Sequence, residues 1–533
     1  MRSSDVGTVS SSQTSQPDGI RSTFHRHSVN PFETDTPWRA LEIFLLVPML
    51  PVLMIRLTLL ALAFGTASFF VTVAAFLPKP IQRTAVLPLK WCSRLVLYAF
   101  GFWWIEEEGL EENGFENVGI ICGASHASLL DVFYYAYRWL PSFVAKRDIR
   151  EMPFIGWFAQ VLNSVFVDRH ADAKTKAAYK SKIEAIAENP KAPPVLIFPE
   201  GTCTNGKSLI TFKRGAFEPG VDLLPVCMQY RSEMNPACVG RNSEVLFLLR
   251  VMMQWSNKLH VQILPVHKPT EEEKQDSILF AEHIQDLMGD AMGIPKTRHS
   301  IADMFFYQQV VDQELPEKIF QFIFADLYEY FLLRDREERK AFRHTLMHLL
   351  DRWHQVDRDS DGKISKSEFL NYAKQAGIGE NIGEAIFFQF DVLGNDSVDF
   401  LELAAACFEL LRLAEFVVYE NPEGIGPREI RDAYRFYRGS LGGVSRESVE
   451  TLLKRTAGLD MPSEILDRHF PEEGEFSVIG LKSFSKFYME EKNYLKLPFA
   501  VASVLVNHVL EVPEISELSQ EHTPQEPHKN HTN

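Results

Sequence analysis

The chain has 533 residues, 46% hydrophobic and 12% aromatic, enough for two or three packed domains and incompatible with a largely disordered protein. Its 55 Lys and Arg against 71 Asp and Glu leave a net charge of −16, which argues against nucleic acid as a partner and against general affinity for anionic headgroups. Six cysteines (Cys92, Cys122, Cys203, Cys227, Cys238, Cys407) are scattered without a C-x-x-C pair, so neither a disulfide framework nor a zinc site is suggested, and free thiols fit a reducing compartment.

Residues 1–36 are rich in Ser, Thr, Gln and Pro without an apolar period and are expected to be disordered, as is the 501–533 tail. A cleavable signal peptide is not expected, because the first strongly apolar stretch begins only near Leu41. From Leu41 to Leu77 the only charges are Glu42 and Arg56, and Leu57–Leu77 alone would span roughly 31 Å as helix, the thickness of a hydrocarbon core. Residues 37–80 therefore read as a membrane anchor. The run Ile43–Ile55, interrupted by Pro48 and Pro51, leaves open whether the anchor is one helix or a hairpin. Lys79, Arg83, Lys90 and Arg94 outnumber Arg39 and Arg56, which places the downstream domain on the cytosolic side.

Between residues 81 and 300, short β-rich runs alternate with helical stretches. The runs are Val118–Cys122, Phe143–Ala145, Val165–Val167, Val195–Phe198, Leu223–Tyr230 and Val261–Val266; the helical stretches include Ala173–Glu188 and Glu244–Trp255. The alternation predicts an α/β domain. Glu271–Met292 follows as one amphipathic helix with Ile278, Leu279, Ile284, Leu287 and Met288 on one side. A helical linker over 301–340 then leads into helix-rich sequence over 341–500.

The first candidate site is Ser125-His126-Ala-Ser128-Leu-Leu-Asp131, directly after a strand, where ligand chemistry concentrates in α/β folds. His126 and Asp131 would lie about 140° apart on one regular helix, so they meet only if His126 precedes it. Ser128 as N-cap and Asp131 as N3 would achieve that. Such a pair fits acyl transfer from a thioester: neutral His takes the hydroxyl proton while Asp fixes the tautomer and stabilises the imidazolium. The competing reading makes Asp131 a helix cap and His126 incidental. Phe198-Pro-Glu200-Gly201-Thr202-Cys203-Thr204-Asn205-Gly206 follows another buried strand and brings a carboxylate, glycine backbone and hydroxyls to the same edge, groups suited to phosphate or hydroxyl recognition.

Together these runs resemble the glycerophospholipid acyltransferase family, four of whose blocks occur in the family's order: His126–Asp131, Val165–Arg169, Phe198–Gly201 and Leu224-Pro225-Val226. The resemblance implies catalysis by His126 and Asp131, acceptor binding by Arg169, Glu200, Gly201, Thr202 and Pro225, acyl-CoA as co-substrate and no catalytic metal. Asn163-Ser164 stand where the second block usually opens with Gly. Cys203 replaces the Arg common in members acting on lysophosphatidic acid, which favours a zwitterionic acceptor. Cys203 itself reads as a small packed residue rather than a nucleophile, since no second His lies nearby in sequence. Lys146 and Arg147 are equally a phosphate contact or a solvated pair.

Asp357-Arg-Asp359-Ser-Asp361-Gly362-Lys363-Ile-Ser365-Lys-Ser-Glu368 fits the twelve-residue EF-hand loop, with carboxylates at positions 1, 3, 5 and 12, Gly at 6, the Lys363 carbonyl at 7 and Ser365 at 9. A second loop keeps Asp391, Asn395, Ser397, Asp399 and Glu402 but has Leu393 at position 3 and Asp396 at position 6. It should bind calcium more weakly, or serve only as the structural partner of the first. Tyr437–Ser448 has the length and Gly442 of a further loop without carboxylates at the ligand positions.

The expected architecture is thus an α/β acyltransferase domain behind an N-terminal membrane-anchor helix or hairpin, followed by an all-α EF-hand region. This order resembles particular lysophosphatidylcholine acyltransferases. The resemblance implies acylation of lysophosphatidylcholine, with acetyl-CoA and an alkyl lysolipid as a further pair, in the membrane of the endoplasmic reticulum, Golgi or lipid droplet. The alternatives are a lysophosphatidic acid or glycerol-3-phosphate acyltransferase, and a calcium-dependent membrane scaffold without activity.

Overall fold

Ala40–Ala75 form one helix, α1, which runs through Pro48 and Pro51 without a turn. The hairpin alternative gives way to a single rod of 36 residues, roughly 54 Å long at about 1.5 Å per residue, against a hydrocarbon core of roughly 30 Å. Each proline forfeits one i to i−4 hydrogen bond, but no glycine or polar cluster beside them supplies a turn. Glu42–Ala75 is long and apolar enough to cross a membrane. The two charges of the helix are absorbed by the protein itself. Glu42 pairs with Arg250 at 2.6 Å, both buried, and the Arg56 guanidinium donates to the carbonyls of Met252, Gln254 and Trp255.

The structure is a computed structural model that describes residues 30–33, 40–109, 118–152, 155–168, 171–231, 244–320, 322–375, 378–391, 394–408, 427–438, 443–457, 459–470, 478–491, 495 and 498. Two compact units divide them after residue 304. Of the expected disordered stretch 1–36, residues 30–33 are docked: Phe32 is buried, packed edge-on to His299.

The first unit is built on a seven-stranded sheet: β1 (Ile105–Glu108), β2 (Ile120–Ala124), β3 (Ser142–Lys146), β4 (Val165–Val167), β5 (Val195–Ile197), β6 (Leu223–Tyr230) and β7 (Leu259–Ile263). Their order is β1-β7-β6-β2-β5-β3-β4, and every pairing is parallel except β6 with β7. Helices α2 (Leu89–Ala99), α3 (Leu130–Arg138), α4 (Ala173–Ala187) and α5 (Glu244–Met252) join α1 in this unit. Side chains alternate along the strands, so Ile121, Leu196, Leu224 and Val226 enter one core with α2 and α3. Ile120, Cys122, Val195, Ile197 and Leu223 enter another. A sheet covered on both faces explains why its central strands read as unbroken apolar runs. β1, with the sequence Ile-Glu-Glu-Glu, escaped the sequence reading because it is an edge strand that hides little apolar surface.

The expected helix Glu271–Met292 is two helices, α6 (Glu271–Gln275) and α7 (Ser277–Met292). Asp276 breaks them, adopting an extended backbone and capping α7 through the N–H groups of Ile278 and Leu279. That break rotates the apolar face. Phe280, Ile284, Met288 and Met292 are buried, whereas Ile278, Leu279 and Leu287 are exposed.

In the second unit, α8 (Arg336–Val356), opened by a capping box of Asp335 and Glu338, leads into β8 (Lys363–Ser365) and α9 (Lys366–Gln375). Helix α10 (Glu380–Phe390) then leads into β9 (Ser397–Asp399). β8 and β9 pair antiparallel, with buried Ile364 opposite buried Val398. Trp353, Phe400, Phe342 and Phe408 knit the flanking helices through ring contacts of 4.5–5.3 Å. Leu393 and Gly442 lie outside the described residues.

Candidate active site

β2, β5 and β6 are adjacent and parallel, in register at Cys122, Ile197 and Pro225, so the chain leaving each of them emerges at one sheet edge. His126 comes from the first exit, Phe198–Asn205 from the second, and Tyr230 closes the third. The topology thereby joins residues more than a hundred positions apart.

His126 Nδ1 lies 2.9 Å from Asp131 Oδ2, with Asp131 fully buried and the His126 side chain 18% exposed. The cap differs from expectation. Helix α3 begins at Leu130 with Leu129 at the N-cap, and the Ser128 hydroxyl accepts from the Leu130 N–H at 3.2 Å. Asp131 nonetheless folds back onto the helix entry, its Oδ2 accepting the N–H groups of Ala127 and Ser128 at 3.0 and 3.2 Å. One oxygen thus holds the loop and the imidazole together, so the capping contacts and the contact with His126 do not exclude each other. The other oxygen, Oδ1, accepts the Tyr230 hydroxyl. No sequence signal marked Tyr230 for this role, since it appeared only as the end of a strand.

The imidazole lies flat on Phe198, centroids 4.0 Å apart and planes 14° from parallel. Burial depresses its pKa, but Cys203 and Asp131, through charge and hydrogen bonding, outweigh that and raise it well above 6.5. Cys203 therefore stands beside the one histidine of the motif, a proximity the sequence separation concealed. With Nδ1 bound to the carboxylate, Nε2 is the nitrogen available to take a proton.

Glu200 is not directed at the open edge. Its buried carboxylate accepts the His126 N–H at 2.9 Å and the Ile210 N–H at 3.5 Å, so it positions the loop from beneath. Burial pushes it up to about 7. The His126 carbonyl in turn accepts the Thr204 N–H at 2.9 Å, which fastens the two motifs to each other. Next to Thr204, Asn205 is held by residues 30–33: its N–H donates to the Pro31 carbonyl, and its amide to those of Asn30 and Glu33. Gly201 has φ +71°, a left-handed backbone that favours glycine, with the flexible Lys213 side chain lying over it. Thr202 is half-buried beside it. Pro225 is buried within β6, opposite Cys122 of β2, inside the sheet rather than at its edge. Arg169 lies outside the described residues; Asp168 before it pairs with Arg147 at 3.6 Å.

In the second unit, the carboxylates of Asp357, Asp359 and Asp361 each present an oxygen within 4.8 Å of the others. Asp357 Oδ2 accepts the Trp353 indole N–H and the Gly362 N–H at 2.6 and 2.9 Å, while its buried Oδ1 has no hydrogen-bond partner. An orphaned carboxylate oxygen facing two further carboxylates fits a hard cation. Lys363 lies in β8, and Glu368 closes the loop by accepting from Ser365 and from the Arg358 N–H. In the other loop Asp396 takes φ +56°, the left-handed conformation expected at its sixth position, where glycine costs less by about 1 kcal/mol. There the oxygens of Asp391 accept the N–H groups of Asn395 and Asp396. Ser397 bonds to Asn395, and Asp399 and Glu402 cap each other.

Residues 106–229, which contain His126, Asp131, Glu200 and Pro225, match the model of the family described as Acyltransferase. The chain is 27% identical over 439 residues to human "Lysophosphatidylcholine acyltransferase 2", covering 82% of this chain and 76% of that protein. It is 28% identical over 356 residues to "Lysophospholipid acyltransferase LPEAT2" of Arabidopsis thaliana, covering 65% of this chain and 64% of that one, just under two thirds of the relative's length. Human "Lysophosphatidylcholine acyltransferase 1" is 29% identical over 410 residues, 75% of this chain and 72% of the relative. Among solved structures, the 1-acyl-sn-glycerophosphate acyltransferase PlsC of Thermotoga maritima aligns with TM-score 0.33 and 21% identity, over 45% of this chain and 96% of that one.

Proposed function

We propose that this acyltransferase moves a fatty acyl chain from acyl-CoA to the free hydroxyl of a lysophospholipid, with lysophosphatidylcholine as the preferred acceptor. The observation that carries the reading is the His126–Asp131 pair at 2.9 Å on the sheet edge. The acceptor hydroxyl gives its proton to His126 Nε2 as its oxygen attacks the thioester carbonyl carbon. Asp131 keeps the Nδ1 proton in place and balances the imidazolium. Collapse of the tetrahedral intermediate breaks the C–S bond, and the CoA sulfur leaves with the proton held on Nε2. A serine or cysteine nucleophile is not needed for this sequence of bond changes.

Cys203 in place of a cationic residue supports a zwitterionic acceptor, and the names of the relatives agree with it. Arg169 and Thr202 are assigned to the acceptor, with α1 anchoring the enzyme in the endoplasmic reticulum membrane and the catalytic edge toward the cytosol. Asp357, Asp359, Asp361, the Lys363 carbonyl, Ser365 and Glu368 would hold calcium in an EF-hand, supplying a structural or regulatory charge rather than a catalytic one. The orphaned Asp357 oxygen supports that assignment. One radiolabelled acyl-CoA offered with lysophosphatidylcholine, lysophosphatidic acid or glycerol 3-phosphate tests the reading. Fastest labelling of the choline lipid is expected, and preference for either phosphomonoester overturns the acceptor.

Asp131→Asn is a sharper probe than it would be elsewhere. Oδ2 receives two backbone N–H groups and the imidazole, so the amide oxygen must take its place and the NH2 must turn toward the Tyr230 hydroxyl. The histidine tautomer survives and only the charge is lost. We expect kcat/KM to fall by about 10- to 100-fold, short of the ~10⁴ seen when an Asn imposes the wrong tautomer. The pH profile carries the second signature. A raised imidazole pKa leaves His126 protonated, and useless as a base, until the pH exceeds 6.5. The acid limb of wild-type kcat/KM should therefore lie above 6.5 and move down in Asp131→Asn, where one of the raising groups is gone. An unmoved limb would remove this pair from the proton transfer.

A further inference from the structure

At the opposite edge of the sheet from His126, three side chains from separate elements converge. His267 follows β7 and is bridged to Leu223 at the start of β6 by paired backbone hydrogen bonds of 2.9 and 3.1 Å. Glu273 comes from α6 and His283 from α7. His267 Nε2 lies 3.0 and 3.2 Å from the two Glu273 oxygens, and His283 Nδ1 lies 2.7 Å from Oε1. One ligand-capable atom of each residue falls within 4.8 Å of the others. The two imidazoles stand at 80° with centroids 5.3 Å apart, so their nitrogens approach the carboxylate from different directions.

We propose that His267, Glu273 and His283 bind a single divalent transition-metal ion of the zinc class. Two imidazole nitrogens and one carboxylate form the ligand set of open tetrahedral zinc sites, whereas calcium and magnesium demand mostly oxygen. The burial gradient suits metal entry: Glu273 is buried, His267 half-buried and His283 exposed at the mouth. The supporting shell is built as well. Glu273 Oε2 accepts the Thr270 N–H at 2.7 Å and the Thr270 hydroxyl oxygen accepts the Glu273 N–H at 3.2 Å, which fixes the carboxylate before any ion arrives. The His267 ring is braced by Phe280, centroids 5.4 Å apart.

Without an ion, both histidines direct N–H groups at the same carboxylate. Binding replaces those two hydrogen bonds by two metal–nitrogen bonds; a neutral ring carries its proton on the other nitrogen once ligated, and an imidazolium gives one proton up to solvent. A metal would tie the start of β6, α6 and α7 to one another, with the fourth position open to water. It stands apart from the acyl-transfer edge, so its role is to fasten the helix layer to the sheet. Sequence patterning missed it because the ligands are spaced by six and ten residues across a helix break, which matches no common zinc motif.

The test uses the full chain in detergent micelles, stripped with a chelator, exchanged into excess Ca²⁺ to saturate the acidic loops, and titrated with Zn²⁺ by calorimetry. A parallel titration uses Co²⁺ and its visible absorption. Wild type should bind one equivalent that His267→Ala and His283→Ala each weaken by at least about tenfold. The tetrahedral Co²⁺ absorption should appear only in wild type. His283 is exposed, so His283→Ala should keep the apo melting temperature and separate loss of metal from loss of fold. Added Zn²⁺ should raise the melting temperature of wild type and leave that variant unchanged. An equivalent that survives in both variants, or no equivalent in wild type, overturns the site.

Discussion

Replacing His126 by Ala should lower turnover by at least about 10²-fold, the range expected when a positioned general base is removed. The effect should be chemical rather than structural. Without the ring, Asp131 Oδ2 still accepts the N–H groups of Ala127 and Ser128, and Oδ1 still accepts the Tyr230 hydroxyl, so no buried carboxylate is orphaned. The backbone of residue 126 remains tied to Glu200 and Thr204. Thermal melting and recovery in the membrane fraction should match wild type while acyl transfer collapses. Retained activity would remove His126 from the mechanism, and joint loss of activity and melting temperature would assign it to loop packing.

Calcium binding should depend on the two acidic loops unequally. Glu368→Gln removes the charge that closes the first loop and should weaken calcium binding severely, by at least about tenfold, whereas Glu402→Gln should matter less. The structure adds a reason. In the first loop three aspartates converge and Asp357 Oδ1 is unspent, whereas in the second the Asp391 oxygens are already committed to the backbone of Asn395 and Asp396. Since the loop belongs to the unit beyond residue 304 and His126 to the other, basal acyl transfer should survive Glu368→Gln and only a calcium-dependent component should vanish. Calorimetry on the full chain beside an activity titration reads both. Equal calcium loss in the two variants would show that the loops are equivalent, and an inactive Glu368→Gln enzyme would show that the loop is needed for folding or catalysis.

What the sequence determined by itself is what depends on local periodicity and on compact motifs. Central strands covered on both faces are continuous apolar runs, so four of the six expected strands match the observed ones to within one residue at each end, and Val118–Cys122 and Val261–Val266 are displaced by two or three residues. The His126–Asp131 spacing contained its own geometric condition, that the histidine precede the helix, and the structure meets it. At Asp357 the legible part is geometric: carboxylates at alternate positions before one turn-making glycine bring Asp357, Asp359 and Asp361 within 4.8 Å of one another.

Only the tertiary structure decided the rest, because the deciding contacts join segments that sequence spacing cannot relate. Tyr230 reaches Asp131 from 99 residues away, and Cys203 meets His126 only because β2 and β5 are neighbours in the sheet. Glu200 looked like an acceptor contact, yet burial turned it to the backbone beneath His126. The course of the apolar segment was likewise settled by distant partners. Pro48 and Pro51 left a turn open, whereas the helix is seated along its length by Glu42 pairing with Arg250 and by Arg56 donating to the carbonyls of Met252, Gln254 and Trp255, contacts about two hundred positions apart.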